Sequence, residues 1–111
     1  SINGIAGAFG QTNYSFTKAA LSSYAQALAP ILASRGPLGS TINAIAPGFI
    51  ETEMTQSIPA LGKFFGRRAN AFSQGGLSDD VAAAVAFLCC EGSGGMSGQT
   101  LRVCGLNAVG K

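Results

Sequence analysis

The chain has 111 residues, enough for one small domain or for part of a larger one. Hydrophobic residues make up 47% of it and charged residues only 11%, a low charge for a domain whose size leaves much of it at the surface, so the composition predicts faces covered by something else. The net charge of +2 comes from dispersed basic residues with no cluster beyond Arg67-Arg68, which gives a nucleic-acid groove no footprint, and the lack of histidine excludes Ser-His-Asp hydrolysis, Cys-His proteolysis and His-ligated metal sites within the chain.

Ser1 to Ile5 reads as the end of a strand leading into a glycine-broken loop through Gly10. Asn13 or Thr12 is placed to cap the helix that follows. Tyr14, Phe16, Leu21, Tyr24, Leu28 and Leu32 give that helix bulk among alanines and serines as far as about Arg35. Its small residues permit close approach to a sheet or a partner helix. Pro30 lies inside it and removes the hydrogen bond to the Gln26 carbonyl, which predicts a bend. Gly36-Pro37-Leu38-Gly39 breaks the helix.

Thr41 to Ala46, with Ile42 and Ile45, is fit for a short buried strand that Pro47-Gly48 ends. Residues 49–78 form the least regular stretch, with a helical piece starting at Ile58-Pro59 and Phe64, Phe65 and Phe72 as anchors. Ser78 caps a helix from Asp79 to Cys90, its acidic residues in the first turn where the helix dipole favours them. Gly92 to Gly98 is a loop and Thr100 to Val103 a last strand. Strand, helix, strand, helix, strand is the back half of a doubly wound parallel sheet.

Cys89, Cys90 and Cys104 have no C-x-x-C spacing and are odd in number, so a zinc site is not expected; they read as reduced thiols of a cytoplasmic protein, Cys89 and Cys90 as packing residues at a helix end. No apolar run reaches the length of a membrane span.

The chemistry-bearing pair is Tyr14 and Lys18. Four residues apart, they share one helix face one turn apart. An ammonium held beside a phenol favours the phenolate, and a phenol tuned in that way serves as a general acid or base near neutral pH. Alone, the pair means little, and a solvated helix surface with a snorkelling lysine is the better reading of it. Its surroundings decide. Ser1-Ile2-Asn3-Gly4-Ile5-Ala6-Gly7 precedes it, Ser1 falling thirteen residues before Tyr14, and Gly10-Gln11-Thr12-Asn13-Tyr14-Ser15-Phe16-Thr17-Lys18-Ala19-Ala20 surrounds it. Ile42-Asn43-Ala44-Ile45-Ala46-Pro47-Gly48-Phe49-Ile50-Glu51-Thr52 follows.

Serine, tyrosine, lysine and the Pro-Gly-x-Ile-x-Thr run, in this order and spacing, resemble the short-chain dehydrogenase/reductase family, and within it the C-terminal half of the 3-oxoacyl-(acyl-carrier-protein) reductases. The resemblance extends over nearly the whole chain. It implies an α/β fold, the C-terminal half of a Rossmann-like doubly wound parallel sheet, with residues 1–111 the C-terminal part of one domain whose N-terminal dinucleotide-binding half is absent. The implied reaction is NADPH- or NADH-dependent reduction of a 3-oxoacyl thioester, carried by acyl carrier protein or coenzyme A, to the 3-hydroxyacyl form.

Tyr14 is then the proton donor, Lys18 its neighbour and the holder of the nicotinamide ribose, and Ser1 the group that polarises the substrate carbonyl. Pro47, Gly48, Ile50 and Thr52 lie at the nicotinamide, with the Ile50 backbone on its carboxamide; glycine allows close backbone approach there. Asn43 is read as structural. Ser34-Arg35-Gly36 matches a contact for the acidic acyl carrier protein, although Arg35 also suits a helix C-terminus. Arg67-Arg68 reads as a solvated face where a substrate lid would lie, and Glu51 and Glu53 receive no catalytic role. A homodimer or homotetramer is implied, with neither nucleic acid nor membrane as partner.

The chain departs from the pattern in three places. The glycine-rich phosphate-binding turn is absent together with the front half, so a chain of this extent alone is expected to be inactive. The link Gly36 to Ser40 is long. The end reads Val103-Cys104-Gly105-Leu106 where Gly-Gly is common; that ending, with Gln11-Thr12-Asn13 and Arg67-Arg68, looks most like the long-form members. Other readings from the same residues are a short-chain alcohol or steroid dehydrogenase, and a truncated, non-catalytic interface module.

Overall fold

A computed structural model describes residues 1–37 and 39–108. In chain order they form α1 (Asn3–Ala6), α2 (Thr12–Arg35), β1 (Ala44–Pro47), α3 (Glu53–Gln56), α4 (Ala60–Arg68), α5 (Ser78–Leu88), a short 3-10 turn (Glu91–Ser93) and β2 (Thr100–Val103). β1 and β2 pair in parallel, Ala44 opposite Thr100 and Pro47 opposite Val103. α5 packs on both strands, α1 lies on α2, and α2 also touches β1. Parallel strands joined through a helical crossover make this a mixed α/β unit, a partial Rossmann-like sheet.

The expected strand at Ser1 to Ile5 is instead a single helical turn, α1, closed by the Gly7 N–H on the Asn3 carbonyl with Gly7 at φ +73°. What remains strand-like is one bond, from the Ile2 N–H to the Pro47 carbonyl at 2.9 Å. Gly4 explains why a helix turn fits here. A Cβ on it would stand 2.7 to 2.9 Å from the Lys18 carbonyl carbon, the Ala19 nitrogen and the Lys18 Cβ, so only glycine lets α1 lie this close to α2.

α2 runs to Arg35 as expected and continues through Pro30. Its N-cap residue is Gln11, not Asn13 or Thr12; Asn13 instead accepts the Tyr14 N–H on its own Oδ1 at 2.9 Å. Of the loop that follows, Leu38 lies outside the described residues. The strand expected at 41–46 sits later, at Ala44–Pro47, because its ladder with β2 begins only there; Ile42 and Asn43 are held by loop bonds instead. Asn43 is structural, as expected. Its Nδ2 donates to the Met96 carbonyl at 2.8 Å and its Oδ1 accepts the Gln99 N–H at 3.0 Å, which aligns the entry to β1 with the entry to β2.

α5 begins one residue earlier than expected and is capped differently. Leu77 precedes it, and the Asp80 carboxylate reaches back to the Leu77 N–H at 2.7 Å, so Asp80 rather than Ser78 satisfies the free end. The helix ends at Leu88, and Cys89 and Cys90 are exposed, not packing residues; Cys90 Sγ donates to the Phe87 carbonyl. A two-stranded sheet has too little surface to bury them. The same shortage shows throughout. Only Ile2, Ala25 and Ala46 are buried apolar residues among those described, while Phe16 is 75% exposed and Leu21, Tyr24 and Ile31 along α2 are also bare. The apolar faces that the composition predicts are present and exposed among the described residues. No helix of the described residues is long and apolar enough to cross a membrane.

Candidate active site

The turn after β1 is built by close contact. The Gly48 N–H donates to the Val103 carbonyl at 2.9 Å, and a Cβ on Gly48 would stand 2.9 Å from the Cys104 Cα, so the backbone must be bare where it passes the end of β2. Phe49 and Ile50 continue outward and form a parallel bridge with Gly76: the Gly76 N–H donates to the Phe49 carbonyl and the Glu51 N–H to the Gly76 carbonyl, at 2.9 and 2.8 Å. Thr52 then caps α3. Its hydroxyl accepts the Thr55 N–H, and the Thr55 hydroxyl bonds back to the Thr52 N–H at 2.8 Å.

Ser1 and Tyr14 reach this turn from the other side. The Ile2–Pro47 bond holds the first residues against the end of β1, and the Gly4 contact holds α1 on α2 beside Lys18. Ser1 Oγ accepts the Asn3 N–H at 3.3 Å, and Asn3 Nδ2 donates to Gln11 Oε1 at 3.0 Å, which ties α1 to the start of α2 one turn before Tyr14. Ser1, Asn3, Gln11 and Tyr14 thereby form the polar end of a cavity of about 560 Å³. Gly48, Phe49, Ile50, Met54, Ile58 and Ala69 form its apolar side.

Of the residues singled out in the sequence, Ser1, Tyr14, Gly48 and Ile50 border this one cavity. Pro47 stands immediately behind it, its carbonyl bonded to Ile2. Lys18 lies beneath, its Nζ 5.4 Å from the centre of the Tyr14 ring, a cation–π distance. Thr52 is not in the lining. Its hydroxyl is occupied in capping α3, and Thr55 takes the place at the cavity, its hydroxyl donating to the Ile50 carbonyl at 2.9 Å. Among the described residues no acceptor takes the Ile50 N–H.

Arg35 ends α2, twenty-one residues beyond Tyr14 and so about 30 Å away along the helix. Arg67 is not simply solvated. Its Nε donates to Glu51 Oε1 at 2.6 Å, fastening the end of α4 to the segment that leaves the turn, while the Arg68 guanidinium covers the Phe64 ring. Four polar residues of the lining have no counterpart among the sequence candidates: Asn3, Gln11, Thr55 and Asn107. Gln11 carries a signal in hindsight, since it stands three residues before Tyr14 at a helix start. Asn107, only 4% exposed, carries none; the chain beyond β2 brings it back to the cavity. No group of His, Cys, Asp and Glu able to hold a metal exists among the described residues.

A family model described as enoyl-(acyl carrier protein) reductase matches residues 1–105. Nodulation protein G of Azospirillum brasilense is 38% identical over 105 residues, covering 95% of this chain and 42% of that protein. The 3-oxoacyl-(acyl-carrier-protein) reductases of Rickettsia bellii and Aquifex aeolicus are 41% and 39% identical over 105 residues, covering 95% of this chain and 42% and 41% of theirs. The chain thus spans about two fifths of the length of the curated relatives it matches.

Proposed function

The chain belongs to the short-chain dehydrogenase/reductase family, and from that membership we propose that the protein carrying it reduces the 3-oxo group of an acyl thioester to the 3-hydroxyacyl form, with NADPH or NADH as reductant. One observation carries this reading: Ser1, Tyr14 and the Gly48–Ile50 turn, which lie far apart in sequence, border the same cavity. The residues present fit the nicotinamide end of such a cofactor. The Ile50 N–H is an available donor beside an apolar wall, and Pro47 and Gly48 bring bare backbone up to it. Lys18 is the candidate holder of the adjoining ribose.

When bound, the reduced nicotinamide supplies a hydride to the carbonyl carbon of the substrate. Tyr14 Oη gives its proton to the carbonyl oxygen, and Ser1 Oγ donates a hydrogen bond to the same oxygen, polarising the carbonyl and fixing its direction. Lys18, beneath the ring, offsets the negative charge left on the phenol. Thr52 acts at one remove by starting α3, whose residues complete the wall. The apolar side, with Phe49, Met54 and Ile58, suits the acyl part of the substrate better than a polar sugar alcohol.

The bare apolar residues of α2 are the surface through which a homodimer or homotetramer would form. An acidic acyl carrier protein docked at Arg35 would stand about 30 Å along α2 from the Tyr14 of the same chain.

The test is an assay of the native polypeptide that carries this chain, in a cytoplasmic extract and then pure, for oxidation of NADPH and of NADH with 3-oxobutanoyl thioesters of coenzyme A and acyl carrier protein. Turnover that disappears in Tyr14→Phe supports the reading. Turnover of steroids or simple ketones alone would move the protein to another branch of the family. No turnover on any of them, with assembly into oligomers retained, would favour the interface module.

A further inference from the structure

A second cavity, of about 350 Å³, lies behind the first. Cavities of this size hold small ligands. Phe72, Leu101, Val103 and Cys104 give it an apolar side, while Asn70, Gln74, Asp80 and Arg102 also line it, and Phe49 and Ile50 border both spaces. They therefore form the partition between the candidate active site and a rear chamber.

Phe49 is fixed in this place from two directions. Its carbonyl is held by the Gly76 N–H at 2.9 Å, so the backbone cannot drift. Its ring lies against Gly66 of α4, where a Cβ would come within 2.5 Å of Cδ2 and 2.9 Å of Cγ. The ring therefore stands against α4 beside Gly66, bordering both spaces.

The polar end of the active-site cavity, at Ser1 and Tyr14, is where a carbonyl oxygen must sit for the proposed reaction. The acyl chain then extends over the apolar side and meets Phe49. We propose that Phe49 is the residue that sets acyl-chain length: it closes the site to a short 3-oxoacyl chain, and the rear chamber behind it is the space that a longer chain would need. This rests on the reductase reading of the site.

The experiment compares kcat/KM for 3-oxobutanoyl and 3-oxododecanoyl coenzyme A in the native polypeptide and in Phe49→Ala. The wild type should favour the short chain, and the variant should raise the long-to-short ratio by about tenfold or more, the scale of discrimination that apolar pocket walls provide. Adding Leu101→Phe, which refills the chamber from β2, should return the ratio towards wild type; a variant that was merely loosened would not respond. Phe49→Leu, with a smaller expected rise, serves if the alanine variant does not fold. An unchanged ratio in soluble Phe49 variants overturns the wall and leaves the reductase reading intact. Absence of turnover on both thioesters in the wild type overturns both.

Discussion

The Ile2 N–H donates to the Pro47 carbonyl at 2.9 Å, and this single bond joins the segment that carries Ser1 to the turn that carries Gly48 and Ile50. Ile2 is itself buried, so the bond sits in one of the few dry places of the chain, where a backbone bond is costly to lose. From it follow the positions of the serine, the tyrosine and the cofactor-side backbone relative to one another.

Replacing Tyr14 by phenylalanine removes the proposed proton donor and little else, because the ring and its contact with Lys18 remain. In the native polypeptide kcat for 3-oxoacyl reduction should fall by about 10²–10⁴, the range for loss of a positioned general acid, with KM nearly unchanged. Steady-state kinetics decides it; a fall in affinity alone would mean that Tyr14 binds substrate without delivering the proton.

Ser1→Ala should lower kcat by about 10², comparable to losing one hydrogen-bond donor at a developing oxyanion. Combined with Tyr14→Phe it should cost much less than the product of the two, since in the proposed reaction both groups act on one oxygen. Fully multiplicative losses would show that they serve different steps.

Gly4→Ala tests the packing that delivers Ser1. The new methyl would meet the α2 backbone at 2.7 and 2.8 Å, and backbone inside a long helix does not give way cheaply. Loss of about 1–3 kcal/mol of stability is expected, measured by denaturant unfolding, together with reduced kcat. Full activity and stability would mean that α1 can lift from α2 without moving the serine.

Asn43→Ala leaves the Met96 carbonyl and the Gln99 N–H without their partner at the point where both strands begin. The cost should be about 1–3 kcal/mol by the same unfolding measurement, with KM unaffected because Asn43 is remote from the cavity. A shift in KM without loss of stability would contradict its structural role.

The sequence carries these features unevenly. The motif residues and α2 were legible because their signals are local: a spacing of four on a helix, a Pro-Gly turn, a run of helix formers to Arg35. β2 matched its expected span, Thr100–Val103, for the same reason. α1 reads as a strand from its residues alone because what fixes it is the absence of a side chain on Gly4 against Lys18 and Ala19, a contact fourteen or more residues away. β1 was placed too early since its boundary is set by where its partner β2 begins. The alanine-rich helix end suggests packing for Cys89 and Cys90, yet both are exposed, because no described element lies over the end of α5. The Phe49 partition has no sequence pattern at all; it exists through Gly66 and Gly76, which are distant until the chain folds.

The ion pair of Glu51 with Arg67 fixes a pH dependence. The Glu51 carboxyl is held below its ordinary value, chiefly by the hydrogen bond from Arg67, with partial burial opposing and the charges of Arg67 and Lys63 adding to it; the Arg67 guanidinium is pushed up by the same hydrogen bond and by the charge of Glu51. In the unfolded chain the carboxyl titrates near its ordinary value of about 4.3. A group whose folded value is the lower one stabilises the fold fully above the unfolded value, and loses that contribution as pH falls through the folded one. The tie between the end of α4 and the turn should therefore hold at neutral pH and release in acid, by a small amount because the pair is at the surface and screened by salt. Unfolding free energies of wild type and Glu51→Gln should differ by a constant amount above about pH 5 and converge as the solution becomes more acidic. High salt should shrink the plateau difference. A difference that persists unchanged into strong acid would show that Glu51 acts through packing against Gly75, which its side chain also touches, and not through its charge.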